Sequence, residues 1–433
     1  MGEKDVTYDA AHIQVLEGLE AIRKRPGMYV GSTGTRGLHA LLSEVVERAV
    51  AEVLRGRATY VEVTLTADGG ARVTDDGEGI PVAAAGHTGG IALEDLLTTV
   101  YAGQDRGRRV YLGPFGLGLC VPNALSRRLA VEVRREGALW TQEFERGTAI
   151  GPPVAAGPKD RHGTTVAFLP DPEIFEVTEF RYETIADLFR QLASFNDELD
   201  LRLIDERPSG DGRYGAPAAR AERFRFQGGL SAYLAHLDPE APSPGGVDPV
   251  AVHWEGAVPG VVGPLSVDAA IRWRGVGDGR GVLSFVNSLA TREGGVHEQG
   301  LREVVAGALT TYARQHGLLP ATAPGLDADR IRRAVTAIVS VKLDAPELAG
   351  AIRERLAGEP VRQAVADRVR DALGRWLAED PVRASALLGR LMRPSAAADG
   401  QPAVAAPAPG ADADPDSRSF SGSGPDSGSG GAA

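Results

Sequence analysis

The stretch of this sequence best suited to chemistry is an acidic turn at residues 75–79, which contains two glycines. From Val73 to Pro81 the chain reads VTDDGEGIP, so two aspartates precede Gly77 and Gly79. A carboxylate at the end of a buried strand can accept a hydrogen bond from the amino group of an adenine ring. Glycines beside it let the backbone approach a flat ring or a phosphate, because they carry no Cβ. Taken alone, however, the pattern is more often a hairpin turn with solvated acids.

Three other segments carry groups that can act on a nucleotide. The glycine-rich stretch 113–118 precedes a helix, so the backbone N–H groups of Gly116 and Gly118 can point at a phosphate. Thr164 opens an apolar strand and can bond the purine edge beside the acidic turn. Glu44 lies within a helical pattern and can orient or deprotonate an attacking water.

The elements that position these groups follow from the spacing of apolar residues. Residues 38–54 repeat apolar side chains with helical period, which predicts a helix with one buried face. Glu44, Arg48 and Glu52 share a polar stripe beside that face, and the simplest interpretation of the stripe is a solvated row of charges. Residues 60–65 and 71–73 alternate around an Asp-Gly-Gly turn, which predicts a hairpin that delivers Asp75 at its end.

Composition bounds the classes of protein to which the chain can belong. The 433 residues are 43% hydrophobic and 24% charged, which is typical of a globular protein with two or three domains. The net charge of −11 argues against a surface devoted to nucleic acid. A single cysteine, Cys120, excludes an internal disulfide, and we find neither a signal peptide nor an apolar run long enough to span a membrane. We therefore expect a cytoplasmic protein without a membrane partner.

Several longer stretches resemble the bacterial DNA gyrase B family. They are residues 8–19 (YDAAHIQVLEGL), 23–32 (RKRPGMYVGS), 168–175 (FLPDPEIF) and 284–298 (SFVNSLATREGGVHE). The resemblance extends over residues 6–392. It implies an α+β / α/β architecture, in which a Bergerat-type (GHKL) ATPase α/β sandwich precedes a transducer domain with a ribosomal-protein-S5-like α/β fold. The GHKL fold is shared by type II topoisomerases, heat-shock protein 90, histidine kinases and mismatch-repair proteins.

The resemblance and the composition together divide the chain into four parts. We expect a dimerisation arm at 1–14, the ATP-binding domain at 15–210 and the transducer domain at 220–393. Residues 394–433 are almost entirely Ala, Gly, Pro, Ser and Asp, which predicts a disordered tail. The sequence carries no Glu-Gly-Asp-Ser signature of the family's metal-binding cleavage domain, so DNA cleavage would depend on a separate protein.

The resemblance also implies which residues hold the nucleotide. It gives Glu44 the catalytic position and ATP as the cofactor. In the family, the tyrosine of the arm reaches the nucleotide of the partner protomer, which implies a homodimer. The positions that it assigns to ATP binding are Tyr8, Ile13, Arg48, Asp75, Gly77, Gly79, Ile80, Pro81, Gly116, Leu117, Gly118, Thr164 and Arg353.

Five departures from the family pattern fall on metal, phosphate and inhibitor contacts. Arg48 replaces the asparagine that holds the nucleotide's magnesium, and Ala40 replaces the histidine that supports the catalytic glutamate. Glu78 replaces an arginine that pairs with the acid at position 52. Arg353 replaces a lysine that touches the terminal phosphate, and we place Thr141 where an arginine anchors aminocoumarin inhibitors. We therefore predict impaired hydrolysis, weak aminocoumarin binding and no protein-held metal.

Arg48 suggests a specific hypothesis. Its guanidinium would stand where the magnesium ion stands in the family and would pair with Glu44 or Glu78. A fixed cation there would compensate phosphate charge without Mg²⁺, or would hold Glu44 in an ion pair and stop it from acting as a base. Arg48 would also relieve the repulsion between Glu78 and Glu52. The simpler alternative is an arginine that points to solvent.

Three classes of function stay open on the sequence alone. The first is an ATP-hydrolysing clamp of a type II DNA topoisomerase, which would act with DNA and a gyrase A-like partner. The second is a nucleotide-binding regulatory protein with little turnover, and the third is an interaction protein with an empty pocket. Whether the chain is an enzyme is therefore left open. Six arginines of the transducer can line a DNA cavity, although acidic residues interleave with them: Arg368, Arg370, Arg375, Arg383, Arg390 and Arg393.

Overall fold

A computed structural model describes most of the two predicted folded units. The described residues are 18–82, 92–100, 118–208, 220–225, 228–237, 249–274, 279–291, 293–349 and 355–392. The predicted arm and tail lie outside these ranges, and so do five of the predicted site residues: Tyr8, Ile13, Gly116, Leu117 and Arg353.

The first unit is built on one large mixed sheet. Its strands are β1 (Val61–Leu65), β2 (Ala71–Asp75), β3 (Ser126–Arg135), β4 (Ala138–Glu145), β5 (Thr148–Ala149), β6 (Val154–Pro158), β7 (Gly163–Pro170), β8 (Leu201–Asp205) and β9 (Arg220–Phe224). They are ordered β5-β4-β3-β7-β2-β1-β8-β9, with β6 paired to β4. Its helices are α1 (Gly18–Lys24), α2 (Gly27–Val30), α3 (Thr35–Leu54), α4 (Leu93–Thr98), α5 (Cys120–Leu125) and α6 (Tyr182–Phe195). Because β9 pairs with β8, this sheet extends to Phe224, slightly beyond the expected boundary at 210.

The predicted hairpin is present and places Asp75 in the middle of the sheet. β1 and β2 pair antiparallel, and Gly69 takes the left-handed backbone conformation that the turn requires, at φ +85°. Asp75 is the last residue of β2 and lies opposite Val61 on one side and Thr164 of β7 on the other. The register therefore brings two predicted site residues side by side.

Helix α3 covers the face of the sheet at this point. Its apolar residues, among them Leu41, Val45 and Val46, are buried in the core of the first unit, as the helical pattern predicts. Glu44 and Glu52 are buried as well, so the stripe that they share with Arg48 faces the sheet and is not a row of solvated charges. A buried acid needs a partner, which the loops around the site supply.

The second unit is a five-stranded sheet covered mainly by two long helices. Its strands are β10 (Val250–Ala257), β11 (Pro264–Trp273), β12 (Gly281–Val286), β13 (Leu289–Ala290) and β14 (Val335–Lys342), in the order β10-β11-β14-β12-β13. A small hairpin joins β15 (Leu348–Ala349) to β16 (Arg355–Leu356). The helices are α7 (Gly229–Leu237), α8 (Val296–Gln315), α9 (Ala328–Arg333), α10 (Glu359–Glu379) and α11 (Pro381–Met392), with Asp380 between the last two. Within the described ranges, no helix has both the length and the apolar content that crossing a membrane requires.

A small junction connects the two units. The Phe195 ring at the end of α6 packs against Phe285 of β12, with ring centroids 4.6 Å apart. The Lys342 ammonium donates to the Phe195 carbonyl at 2.7 Å and to Asn196 Oδ1 at 2.8 Å. A cation at the carboxyl end of a helix is favourable because the last carbonyls carry partial negative charge. The end of α6 is thereby tied to the central strand of the second sheet.

Candidate nucleotide site

Asp75 is a buried carboxylate with one oxygen committed to the protein. Its residue is 4% exposed, and its Oδ1 atom accepts the backbone N–H of Gly77 at 2.9 Å. Burial raises the pKa of this carboxyl above its ordinary value, while the Arg48 charge and the Gly77 amide act in the opposite direction. The Oδ2 atom faces the guanidinium of Arg48 at 3.8 Å, beyond hydrogen-bond distance. One acceptor is thus held in a fixed orientation, as recognition of a ligand's amino group requires.

Thr164 stands next to Asp75 with a hydroxyl able to donate. Its Oγ1 atom accepts the backbone N–H of Ile80 at 3.2 Å, and the residue is 2% exposed. Because the oxygen already accepts a hydrogen bond from Ile80, its hydroxyl proton can be directed elsewhere. Asp75, Thr164 and Ile80 are therefore brought together as predicted, and Pro81 follows half-buried.

The two glycines of the acidic turn are required by sterics. A Cβ at Gly77 would lie 2.9 Å from Asp75 Oδ1, and Gly79 has a φ of +80°. A Cβ at Gly79 would also lie 2.8 Å from the carbonyl oxygen of Arg134. The backbone therefore demands Gly79, whereas Gly77 leaves room for the Asp75 carboxylate in its present position.

Glu44 lies one turn before Arg48 on α3 and reaches the loop that opens α5. The residue is 5% exposed, and its Oε2 atom accepts the backbone N–H of Gly118 at 3.1 Å. Gly118 is the last residue of the predicted glycine-rich loop, so the helix and the loop meet at this carboxylate. Because Oε2 of Glu44 accepts the Gly118 amide, this hydrogen bond restricts how the carboxylate can position a water.

The guanidinium of Arg48 points toward the aspartate side of the site. Its Nη1 atom lies 3.8 Å from Asp75 Oδ2 and 4.0 Å from Glu52 Oε1. The predicted proximity to Glu52 is confirmed. The predicted pairing with Glu44 or Glu78 is not what the structure shows, because the two ion pairs of Arg48 within the described ranges go to Asp75 and Glu52. Glu78 is exposed.

Comparisons with known proteins agree with this architecture. A family model described as DNA gyrase B matches residues 229–402. The DNA gyrase B protein of Streptomyces coelicolor is 38% identical over 401 residues, which are 89% of this chain and 57% of that protein. The 43K ATPase domain of Thermus thermophilus gyrase B, solved in complex with an aminocoumarin, superposes with a TM-score of 0.68 at 31% identity over 87% of this chain and 94% of that domain. The chain belongs to the DNA gyrase B family.

Other members of the gyrase B and topoisomerase group give the same result. The ATP-binding domain of Francisella tularensis topoisomerase IV has a TM-score of 0.67 at 26% identity, over 87% of this chain and 96% of that domain. The Clostridium acetobutylicum gyrase B protein is 36% identical over 384 residues. The predicted fold class is therefore confirmed. The chain spans 57% and 58% of the length of the Streptomyces and Clostridium relatives.

Sequence reasoning missed an arginine that contacts the acidic turn. Arg135, at the end of β3, donates from Nη1 to the carbonyl oxygen of Gly79 at 2.8 Å. Thr141, predicted to stand at the inhibitor-anchoring arginine position, lies instead on β4 between Glu132 and Val154. A guanidinium therefore lies beside the acidic turn after all. The two consecutive arginines Arg134 and Arg135 at the end of β3 could have indicated this contact. Neighbouring side chains of a strand point to opposite faces, so the two arginines have different partners.

Asp76 is the second aspartate of the turn, and its hydrogen bonds go to Thr59 and Tyr60. Its Oδ1 atom accepts the backbone N–H of Thr59 at 2.7 Å and that of Tyr60 at 3.1 Å, and its Oδ2 atom accepts the hydroxyl of Thr59. These hydrogen bonds lower the pKa of Asp76, although burial opposes them. Asp76 therefore anchors the turn to the start of β1, and only Asp75 faces the site.

Proposed function

We propose that this chain is an ATP-binding module of a type II DNA topoisomerase, with its nucleotide site at Asp75. The observation that carries the proposal is the buried Asp75 carboxylate, fixed by Gly77 and flanked by the Thr164 hydroxyl. An exocyclic amino group can donate to Asp75 while a ring nitrogen accepts from Thr164. Membership of the gyrase B family makes ATP the expected nucleotide.

Hydrolysis by this site is proposed to be slow. Glu44 keeps the position of the general base, but one of its carboxylate oxygens accepts the Gly118 amide at 3.1 Å. Ala40, half-buried one turn earlier, has no polar atom that could orient Glu44, and Arg48 brings a positive charge onto the same helix face. A base held near a cation has a lower proton affinity and is a weaker catalyst at neutral pH.

Magnesium is proposed to be dispensable for nucleotide binding. Mg²⁺ prefers an octahedral shell of oxygens, and the family's oxygen donor at this position is replaced by the Arg48 guanidinium, which only donates. Among the described residues, no group of three or more His, Cys, Asp or Glu side chains could hold a metal ion. The loss of an oxygen donor at Arg48 is the observation that supports binding without a protein-held metal. The hypothesis that Arg48 stands in for the ion at the phosphates finds less support, since its guanidinium points toward Asp75.

Dimerisation through the arm and contact with DNA are proposed from the family. The arm residue Tyr8 and the transducer residue Arg353 would complete the nucleotide site. The described residues nearest to Arg353 in sequence are those of β15 and β16, which pair antiparallel, Leu348 with Leu356. A gyrase A-like partner would supply DNA cleavage.

The arginines expected to line a DNA cavity are only partly available. Arg370 pairs with Asp367 at 2.6 Å, and the Arg368 and Arg383 guanidinium groups stack on Trp254 and Trp376. Arg375 and Arg390 are exposed. Arg393 lies outside the described residues. We therefore propose a weak, salt-sensitive DNA contact through the exposed members.

A second candidate is a nucleotide-binding regulatory or interaction protein without turnover, a pseudo-ATPase. The replacement of metal and support residues by Arg48 and Ala40 favours it, because both changes leave Asp75 and Thr164 intact. Steady-state ATPase activity distinguishes the two candidates. Turnover that Glu44→Gln abolishes supports the clamp, and binding without turnover supports the regulator.

The experiment that tests the shared proposal is a calorimetric titration of the full chain with a non-hydrolysable ATP analogue, with Mg²⁺ and with EDTA. We expect saturable binding under both conditions, with affinities that differ less than about threefold. Binding only with Mg²⁺ would refute the metal proposal alone. No saturable binding under either condition would refute the proposed nucleotide site.

A further inference from the structure

One nitrogen of Arg48 is a buried donor that no described residue satisfies. Its Nη1 atom is buried and makes no hydrogen bond within the described ranges, although it lies 3.8 Å from Asp75 Oδ2 and 4.0 Å from Glu52 Oε1. A buried donor that is left unsatisfied destabilises the protein, and more strongly when the donor is charged. Such a cost is recovered when a ligand supplies the acceptor.

Glu52 does not account for the position of Arg48. Its Oε1 atom already receives a hydrogen bond from Arg57 at 2.8 Å and one from Arg55 at 3.2 Å. Arg48 is farther away than either of these, at 4.0 Å. Two closer arginines therefore compensate the Glu52 charge, and the Nη1 proton of Arg48 is left for an acceptor beside Asp75.

Asp75 and two neighbouring groups form an alternating pattern of hydrogen-bond donors and acceptors. The Thr164 hydroxyl, from the neighbouring strand β7, can donate its proton while its oxygen accepts the Ile80 amide. Asp75 Oδ2 is an acceptor. Arg48 Nη1, from helix α3, is a second donor next to that oxygen. The site thus presents donor, acceptor and donor from three different elements.

Adenine carries the complementary pattern around its exocyclic amino group, across its Watson–Crick and Hoogsteen edges. Its N1 and N7 atoms are acceptors, and the exocyclic N6 amino group between them is a donor. Guanine presents a donor at N1 and acceptors at O6 and N7, so its O6 would face the Asp75 carboxylate with no proton between them. A site whose buried polar groups are left unpaired rejects the wrong ligand strongly.

We infer that Arg48 is a specificity-determining residue that donates from Nη1 to N7 of the adenine ring while Asp75 accepts from N6. The inference rests on the proposed function and deepens it, because it gives the residue at the former metal position a base-reading role. Arg48 then acts on the choice of base and leaves the phosphates to other groups.

The test replaces one atom of the ligand. Wild-type protein is titrated with non-hydrolysable analogues of ATP, of 7-deaza-ATP, in which a carbon replaces N7, and of GTP. A hydrogen bond to a charged group contributes about 1.5–3 kcal/mol, so we expect 7-deaza-ATP to bind about 10- to 100-fold more weakly than ATP, and GTP more weakly still. Arg48→Gln should bind ATP and 7-deaza-ATP with nearly equal, weak affinity. Arg48→Lys, which keeps the charge on a compact ammonium, should restore part of the preference.

Arg55→Gln is the matched control, because Arg55 also pairs with Glu52, at 3.2 Å, and lies beyond the end of α3. It should keep the wild-type preference for ATP over 7-deaza-ATP. Equal affinity of the wild-type protein for ATP and 7-deaza-ATP would overturn the inference and leave the proposed ATP site standing. No binding of any of the three nucleotides would overturn both. The wild-type comparison needs no variant, so it decides even if Arg48→Gln fails to fold.

Discussion

The Glu44 carboxylate and the Gly118 backbone amide are hydrogen-bonded across the candidate site, with 3.1 Å between Oε2 and N. The contact gives Glu44 two separable roles, because the same carboxylate can hold the loop before α5 and act as a base. Glutamine keeps the acceptor for Gly118 but cannot take a proton, whereas alanine removes both functions.

We therefore expect Glu44→Gln to lose ATP turnover by about 10²-fold or more while its nucleotide affinity stays within about twofold of wild type. Glu44→Ala should lose turnover to the same extent and should also bind nucleotide more weakly, because Gly118 loses its anchor. Steady-state ATPase assays and titrations of both variants check this. Wild-type turnover in Glu44→Gln would remove Glu44 from catalysis.

Arg135 changes the expectation for aminocoumarin inhibitors. The sequence predicts weak binding because Arg48 and Thr141 occupy two family contacts, but the guanidinium beside Gly79 comes from Arg135. Its side chain is 31% exposed, so some of its N–H groups are accessible to a ligand beside the acidic turn. We expect measurable novobiocin binding that Arg135→Gln weakens about 10- to 100-fold, since a charge-assisted hydrogen bond is lost.

Arg134→Gln is the control for this measurement. Arg134 is the preceding residue, but its guanidinium donates to Thr165 Oγ1 at 3.0 Å and not to Gly79. Its replacement should change novobiocin affinity by less than about threefold. Equal losses in the two variants, or no binding by the wild-type protein, would contradict the role given to Arg135.

Asp171 should be a major contributor to the stability of the first unit. Its side chain is fully buried, its Oδ2 atom accepts from Arg23 at 2.7 Å, and Arg146 lies 3.3 Å from the same oxygen. Although burial acts in the opposite direction, the hydrogen bonds from Arg23 and the Glu173 amide and the charges of both arginines lower the pKa of Asp171. Because both arginines are partly exposed, the loss is that of a hydrogen bond between charged groups, and Asp171→Ala should lower the free energy of unfolding by about 1.5–3 kcal/mol at pH 7.

The pH dependence of this loss has a definite sign. Because the folded-state pKa is lowered, the contribution of Asp171 is present above its unfolded value of 3.8 and is lost as the pH falls through the folded value. The difference between wild type and Asp171→Ala in denaturant unfolding should therefore shrink below that pH. The exposed Asp160→Ala should show little difference at any pH. A pH-independent gap for Asp171→Ala would contradict the ion-pair account.

The buried His297 should make the stability of the second unit sensitive to acid. It is fully buried in α8, its Nε2 atom lies 3.3 Å from Thr291 Oγ1, and burial lowers its pKa from 6.5 to about 3. The unfolded chain takes up a proton between these two values and the folded chain does not, so the stability due to neutral His297 is lost as the pH falls below 6.5. The loss should approach about 1.4 kcal/mol per pH unit.

The measurement is the free energy of unfolding between pH 7 and pH 5. His297→Gln should show a shallower decline than wild type, because glutamine takes up no proton. The exposed His162→Gln should follow the wild-type slope. Identical slopes for wild type and His297→Gln would show that the buried imidazole does not titrate as described.

The sequence predicts well that Asp75 and Thr164 lie side by side, because strand geometry determines their positions. The alternation of β1 and β2 places Asp75 at a strand end, and Thr164 opens the strand that pairs with it. The direction of Arg48 could not be predicted in the same way. Arg48 is four residues from both Glu44 and Glu52, so helical spacing allows either partner. The charge of the Asp75 carboxylate favours the orientation of Arg48 toward Glu52. The distance between Asp75 and Arg48 depends on how α3 packs on the sheet, which helical spacing does not show.

Edge strands and long-range contacts account for most of the rest. β6 and β9 are short and largely exposed, so they lack the apolar alternation that identifies a strand. The contact of Arg135 with Gly79 spans 56 positions along the chain, and no local pattern encodes it. Misplacing the inhibitor arginine at Thr141 followed from this, since sequence spacing alone could not show which side chain reaches the acidic turn.

The most direct test compares the two neighbouring aspartates of the acidic turn. Wild type, Asp75→Ala and Asp76→Ala are each titrated calorimetrically with a non-hydrolysable ATP analogue. If Asp75 reads the base and Asp76 only anchors the turn, wild type and Asp76→Ala bind saturably, and Asp75→Ala loses at least about 10- to 100-fold in affinity. Undiminished binding by Asp75→Ala would contradict the account.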